Sequence, residues 1–167
     1  GTELIPHFKT HQSITIGEWF KEYGVKKITV SSIAMAEYFA NRGWNDIYVA
    51  FPCNILEIDE INELLKKVNL TILISDIAVV QLLQKQLTNN LNARIEIDSG
   101  AKRTGIGASD FAKIEKAIIE ISIADKINLV GFYSHAGHSY AARNKDQIVT
   151  VFENMKEQMI QLKHKYN

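Results

Sequence analysis

The sequence predicts an α/β fold with about six βα units, an incomplete TIM-type (β/α) barrel. Three observations carry this. Short β-branched runs alternate with longer amphipathic runs at regular spacing, the pattern of helices packed around a parallel sheet. Several of the short runs finish on a polar or titratable residue, as expected where strand ends form a ligand-binding rim. Six units are two short of the eight that close a barrel, and the chain opens almost directly on its first strand and stops at the end of a helix. An open doubly wound sheet is the alternative, and the truncated look favours the partial barrel.

Strands are expected near 4–10, 27–31, 46–51, 70–75, 93–98 and 127–135. Helices are expected near 15–23, 33–42, 57–67, 76–88, 109–122 and 145–164. In the first helix Ile16, Trp19, Phe20 and Tyr23 share one face, and in the fifth Phe111, Ile114, Ile118 and Ile121 do so. In the last helix Ile148, Val151, Phe152, Met155, Met159 and Leu162 make a long apolar stripe, which at this spacing predicts core packing. Gly24 and Gly43 follow their helices where a left-handed C-cap residue is expected. Ser31, Ser75 and Asp76 read as helix caps.

The 167 residues fit one domain, carry no net charge and are 46% hydrophobic with two prolines. A disordered chain or a strongly nucleic-acid-steered one is thereby disfavoured. No apolar run approaches the ~18 residues of a membrane span, and the start lacks a basic-then-apolar signal pattern, so a cytoplasmic protein is expected. Cys53 has no cysteine to pair with and reads as a packed thiol.

Two strands alternate in a way that core packing does not require. Ile95 and Ile97 alternate with Arg94, Glu96 and Asp98, and Val130 and Phe132 with Gly131, Tyr133 and His135. An apolar face toward helices and a polar face toward a lumen would give this pattern. If 4–10 is extended, His7, Lys9 and His11 likewise share one face. An edge strand protected by charge explains that cluster without function. A desolvated lysine among like charges is instead suited to forming a Schiff base with an aldehyde, which raises pyridoxal phosphate as a cofactor. Arg103 stands in the glycine-rich turn 98–107, where a guanidinium at the rim would hold a ligand atom by directed hydrogen bonds. The spacing of Gly100, Gly105 and Gly107 is neither Walker A nor the dinucleotide fingerprint. His135 and His138 lack an obvious third metal ligand nearby, so no metal site is expected from this chain alone.

The strings PHFKTHQ, DSGAKRTGIG and GFYSHAGHSY, at 6–12, 98–107 and 131–140, resemble the D-threonine aldolase and D-serine dehydratase family. That family belongs with the N-terminal barrel domain of alanine racemase, the third fold type of pyridoxal-phosphate enzymes. The phrase 30–39, with Gly43, Asp46 and Ile47, extends the resemblance through most of the chain.

The resemblance implies pyridoxal 5'-phosphate bound by His7, Lys9, Arg103, Tyr133 and His135. Lys9 would hold the cofactor covalently, Arg103 would lie against its ring nitrogen, and Tyr133 and His135 would contact its ring. His138 would do acid or base work on the substrate hydroxyl, which makes Lys9 and His138 the candidate catalytic residues. The implied activity is a lyase acting on D-3-hydroxy amino acids, with D-threonine aldolase first. D-serine dehydratase and an amino acid racemase are the alternatives, and a non-catalytic cofactor-binding barrel comes from another class.

In the family the phosphate is held by segments after the seventh and eighth strands, and a divalent metal sits largely in a C-terminal β domain. The chain is therefore expected to be a single partial barrel domain of a longer homodimeric enzyme. Its expected partner is a small D-amino acid, not nucleic acid or membrane. Gln12 and Ile5 depart from the lysine and arginine that many members carry there.

Overall fold

The structure, a computed structural model, describes residues 2–166. Its strands are β1 (Lys27–Val30), β2 (Asp46–Pro52), β3 (Asn69–Ile74), β4 (Leu91–Asp98), β5 (Ile106–Gly107) and β6 (Ile127–Ser134). Its helices are α1 (Ile14–Glu22), α2 (Ile33–Ala40), α3 (Ile58–Leu65), α4 (Ile77–Gln86), α5 (Phe111–Ser122) and α6 (Lys145–Tyr166). Every strand pairing is parallel, in the order β1-β2-β3-β4, and β5 and β6 both pair with β4. Ile97 faces Ser134 on one side and Ile106 on the other, so β5 takes the edge of β4 that β3 leaves after Ile74.

The register sorts side chains onto two faces, because neighbours in a parallel ladder point the same way. Ile28, Ile47 and Leu70 line up, as do Val30, Val49, Ile72 and Ala93, and all are buried beneath the helices. Ile33 and Phe39 of α2, Ile61 and Leu64 of α3, Leu83 of α4 and Ile114 and Ile121 of α5 complete that core. Each such aliphatic side chain contributes ~1.5–3 kcal/mol on burial. The opposite face carries Thr29, Tyr48, Thr71, Arg94, Glu96 and Tyr133. This is the polar lumen face that the alternation predicts. A register shift between Ala93 and Arg94 leaves Val130 unopposed and exposed at the β6 edge.

Caps set the helix starts. Ser13, Ser32, Asp76 and Asp110 accept from the amides of Ile16, Met35, Ala78 and Lys113. Asp76 is thus a cap as expected, but Ser32 rather than Ser31 caps α2, and Ser75 only precedes the cap of α4. Gly24 and Gly43 adopt φ of 81° and 80° after α1 and α2, as C-cap residues do.

Three further expectations are corrected. Segment 4–10 is not a strand: one parallel bridge, His7 to Thr29, extends the sheet, and Phe8–Thr10 then form a 3-10 turn. Pro6 has no amide to give a ladder, the His7 imidazole accepts the Lys9 amide, and the Phe8 carbonyl takes the amides of His11 and Gln12. The apolar face of α1 is also different. Gly17 is buried, and a Cβ there would lie 3.3 Å from the Phe8 ring, whereas Trp19 and Tyr23 are 55% and 89% exposed. Gly17 lies on the face that α1 turns to Phe8 and Trp44, and helical spacing puts Trp19 and Tyr23 on the opposite, outer face. Finally, the stripe of α6 is not core along its length. Leu162 is fully buried and Met159 packs on the core, but Ile148 and Phe152 are about half exposed, because the N-terminal half of α6 has no apolar layer beneath it among the described residues.

Candidate active site

Lys9 projects from the 3-10 turn at the sheet edge, where it is exposed. The desolvated lysine expected from the sequence is therefore not what the fold presents. His7 lies half-buried beside it, and its Nδ1 accepts the Lys9 amide at 3.2 Å, so a neutral His7 carries its proton on Nε2. Burial first, then Lys9 and His135, hold the His7 pKa below its ordinary value. Burial also lowers the pKa of His135, and Arg103 and Lys9 add to that effect while Glu96 opposes it. Side chains from three distant parts of the sequence thus feel one another's charge at one mouth.

His11 does not join them. Its Nδ1 accepts the Ser13 amide at 3.1 Å, and its ring packs on Phe8 and Phe20, 4.5 and 6.1 Å between centroids. The turn at 8–10 breaks the period-two relation that would have put His11 beside Lys9.

Arg103 is delivered by a loop that doubles back along β4. Asp98 Oδ1 accepts the amides of Gly100 and Lys102, at 2.9 and 3.0 Å, and Lys102 is left-handed at φ 54°. The returning guanidinium donates from Nη2 to Glu96 Oε1 at 3.4 Å. Glu96 in turn shares the lumen face with Tyr133, its register partner, and with Tyr48. The Tyr133 and Tyr48 rings meet edge to face at 5.6 Å, and the Arg94 guanidinium lies 5.6 Å from the Tyr48 ring. Burial raises the pKa of both phenols, with Arg103 acting in the opposite sense at Tyr133. Both are neutral hydrogen-bonding groups near neutral pH.

After β6 the chain forms a 3-10 turn, Gly137–Ala141, which carries His138 over the Arg103 loop. A Cβ on Gly100 would lie 3.4 Å from His138 Nε2, and His138 Nδ1 is buried without a partner. Ser134 Oγ donates to Ser99 Oγ at 2.7 Å and joins the two loops at their roots.

Glu96 and Tyr48 are the members of this cluster that the motif reading leaves out. The alternation 94, 96, 98 marked Glu96 as lumen-facing, but its pairing with Arg103 across a glycine turn has no local signature. Tyr48 is identified only by register. Cys53 is half-buried, and burial followed by Glu57 pushes its thiol up to about 12, which makes it a packed, unreactive group. Among the described residues no three His, Cys, Asp or Glu side chains cluster as metal ligands, and no helix is long and apolar enough to cross a membrane.

The family model for the alanine racemase N-terminal domain matches residues 1–167. The chain is 26% identical over 165 residues to a D-threo-3-hydroxyaspartate dehydratase from Delftia sp., covering 96% of this chain and 43% of that protein. It is 26% identical over 161 residues to the D-serine dehydratase of Schizosaccharomyces pombe, covering 87% of this chain and 38% of the relative. Among solved structures, the Delftia dehydratase superposes with a TM-score of 0.87 at 24% identity, over 97% of this chain and 44% of the other. A D-threonine aldolase from Filomicrobium marinum gives 0.88 at 17% identity, over 96% and 44%. The chain therefore spans less than half the length of these relatives, and the fold is that of their N-terminal barrel domain.

Proposed function

Because the chain belongs to the alanine racemase N-terminal domain family, we propose that the protein is a pyridoxal-phosphate lyase acting on D-3-hydroxy amino acids. The observation that supports this reading is the polar sheet face on which Glu96 holds Arg103 beside Tyr133, with the His138 turn over the Arg103 loop and His7 and Lys9 at the adjoining sheet edge.

The residues fit that cofactor. An exposed primary amine stands at the sheet edge, a guanidinium is held by a carboxylate across the mouth, and the buried polar atoms Glu96 Oε2, Tyr48 Oη and His138 Nδ1 have no partner. Lys9 would hold the cofactor through Nζ, with Tyr133 and His135 beside its ring and Arg103 at the ring nitrogen. When bound, the cofactor supplies a sink for electrons released as a bond at the amino acid's Cα breaks.

The remaining chemistry belongs to the chain. His7 and His135, with lowered pKa, are neutral near pH 7, so neither imidazole adds positive charge beside the Lys9 amine. His138 would move a proton at the substrate's 3-hydroxyl oxygen, as its unpartnered Nδ1 beside the Arg103 loop suggests. Tyr133 and Tyr48, as neutral phenols, would orient polar atoms without charge.

Dehydration to a 2-oxo acid and ammonia is favoured over retro-aldol cleavage. The two relatives at 26% identity are dehydratases, whereas the aldolase likeness at 17% speaks to fold alone. The test is to incubate the protein with pyridoxal phosphate, reduce with borohydride and map the labelled peptide. Label on Lys9, lost in Lys9→Ala, is expected, and undiminished label on another lysine in that variant would overturn the assignment. Product analysis with D-threo-3-hydroxyaspartate, D-serine and D-threonine then separates 2-oxo acid and ammonia from glycine and aldehyde.

A further inference from the structure

We infer that Glu96 is the positioning residue for Arg103, a desolvated carboxylate that holds the guanidinium at the mouth of the site while leaving most of its donors free. The reading of Arg103 as a cofactor contact rests on the proposed function; the anchoring itself does not.

Glu96 is only 2% exposed, in the middle of the polar face of β4, and its partner Arg103 is 42% exposed at the side chain. Burying a carboxylate is costly unless it is paired, so a lone acid at this depth is a liability unless something uses it. Arginine is the reverse case. On an exposed loop its long side chain samples many rotamers, and a directed contact with a ligand atom needs one of them. The Glu96–Arg103 bond couples a rigid strand position to a mobile donor, and rigid elements hold site groups more accurately than loops do.

The loop is built to make that bond. Asp98 caps its first turn through two amides, and β5 pairs Ile106 with Ile97, which returns the chain alongside the strand it left. Gly105 closes the return at φ 99°, where a Cβ would stand 2.9 Å from the Glu96 carbonyl oxygen and 3.0 Å from Glu96 Cγ. Two residues after Arg103 the loop backbone therefore packs against the backbone and Cγ of Glu96, with no room for a side chain between them. Of the five N–H donors of the guanidinium, the bond to Glu96 uses Nη2, which leaves Nε and Nη1 for a ligand acceptor.

Two measurements test this. The first is nitrogen NMR of the arginine side chains in this chain without cofactor. A hindered Arg103 guanidinium is expected in the wild type, free rotation in Glu96→Ala, and partial restoration in Glu96→Gln, which keeps an acceptor oxygen. An Arg103 signal equally hindered in wild type and Glu96→Ala would overturn the anchoring. Arg103→Ala, which lacks the guanidinium, assigns the Arg103 signal, and unchanged Gly105 and Ile106 amide shifts in Glu96→Ala are the control that the loop still folds.

The second is a double-mutant cycle on pyridoxal-phosphate affinity. Loss of a charge-assisted anchor is expected to weaken binding roughly tenfold in Glu96→Ala, with no further loss when Arg103→Ala is already present. A purely structural role gives losses that add, and that result would overturn the proposal. Failure of the wild type to bind the cofactor at all would overturn the functional reading, while the NMR still decides the anchoring.

Discussion

Ser134 Oγ donates to Ser99 Oγ at 2.7 Å, and this bond joins the end of β6 to the root of the loop that carries Arg103. Ser99 is almost fully buried, so the hydroxyl left behind by Ser134→Ala has no water to turn to. The substitution is expected to cost about 1–3 kcal/mol in urea unfolding, and the double variant with Ser99→Ala less than the sum of the singles. Additive losses would separate the two hydroxyls energetically.

Gly105→Ala attacks the same loop through the backbone. Its φ of 99° is strained for any L side chain, and the added methyl meets the Glu96 carbonyl oxygen at 2.9 Å. A destabilisation of about 1–3 kcal/mol is expected, measurable as a lower denaturation midpoint. A neutral effect would mean that the loop does not pack on β4 as described.

The histidines give a pH dependence whose sign follows from linkage. Both His7 and His135 have folded pKa values below the ordinary 6.5, so below that pH the unfolded chain binds protons that the folded chain resists. Their contribution is complete above 6.5 and is lost as pH falls toward the folded values. Stability is expected to decline as pH falls below 6.5, and less steeply in a His7→Gln/His135→Gln variant. Proton NMR titration of the two C2 protons is expected to give midpoints below 6.5.

Two residues of α6 separate buried from exposed apolar surface on one helix. Leu162 is fully buried and Leu162→Ala is expected to cost about 2–5 kcal/mol. Phe152 is 50% exposed in this chain, and Phe152→Ala is expected to change stability by less than about 0.5 kcal/mol. Comparable losses at the two positions would show that an apolar layer covers the N-terminal half of α6.

Much of the molecule was legible before folding was considered. The helix start at Asp76 and the helix ends at Gly24 and Gly43 depend on side chains and φ angles within a few residues of the boundary, whereas the caps Ser13, Ser32 and Asp110 emerge only in the structure. The division of β4 into Arg94 and Glu96 against Ile95 and Ile97 follows from the pleat, which is a property of one strand. Tyr133 and His135 stand out because they interrupt an apolar alternation, whereas joining them with His7, Lys9 and Arg103 into one expected site is what the family resemblance implies. Segment 4–10 was misread because its alternation satisfies a strand while its hydrogen bonds do not: a histidine side chain and the Phe8 carbonyl take the amides that a ladder would use.

By itself, then, the sequence determined the alternation of strands and helices after residue 13, the two faces of the sheet and the polar end of β4 at Asp98. All of these arise from interactions spanning a handful of positions. Only the tertiary structure decided that Glu96 holds Arg103, that His11 belongs to the Phe8 and Phe20 cluster and not to the site, and that Trp19, Tyr23 and Phe152 lie exposed. The physical reason is common to these. A side chain's period says which way it points, but burial and pairing depend on what arrives opposite, and that is set by the register of other strands and by the return path of a loop.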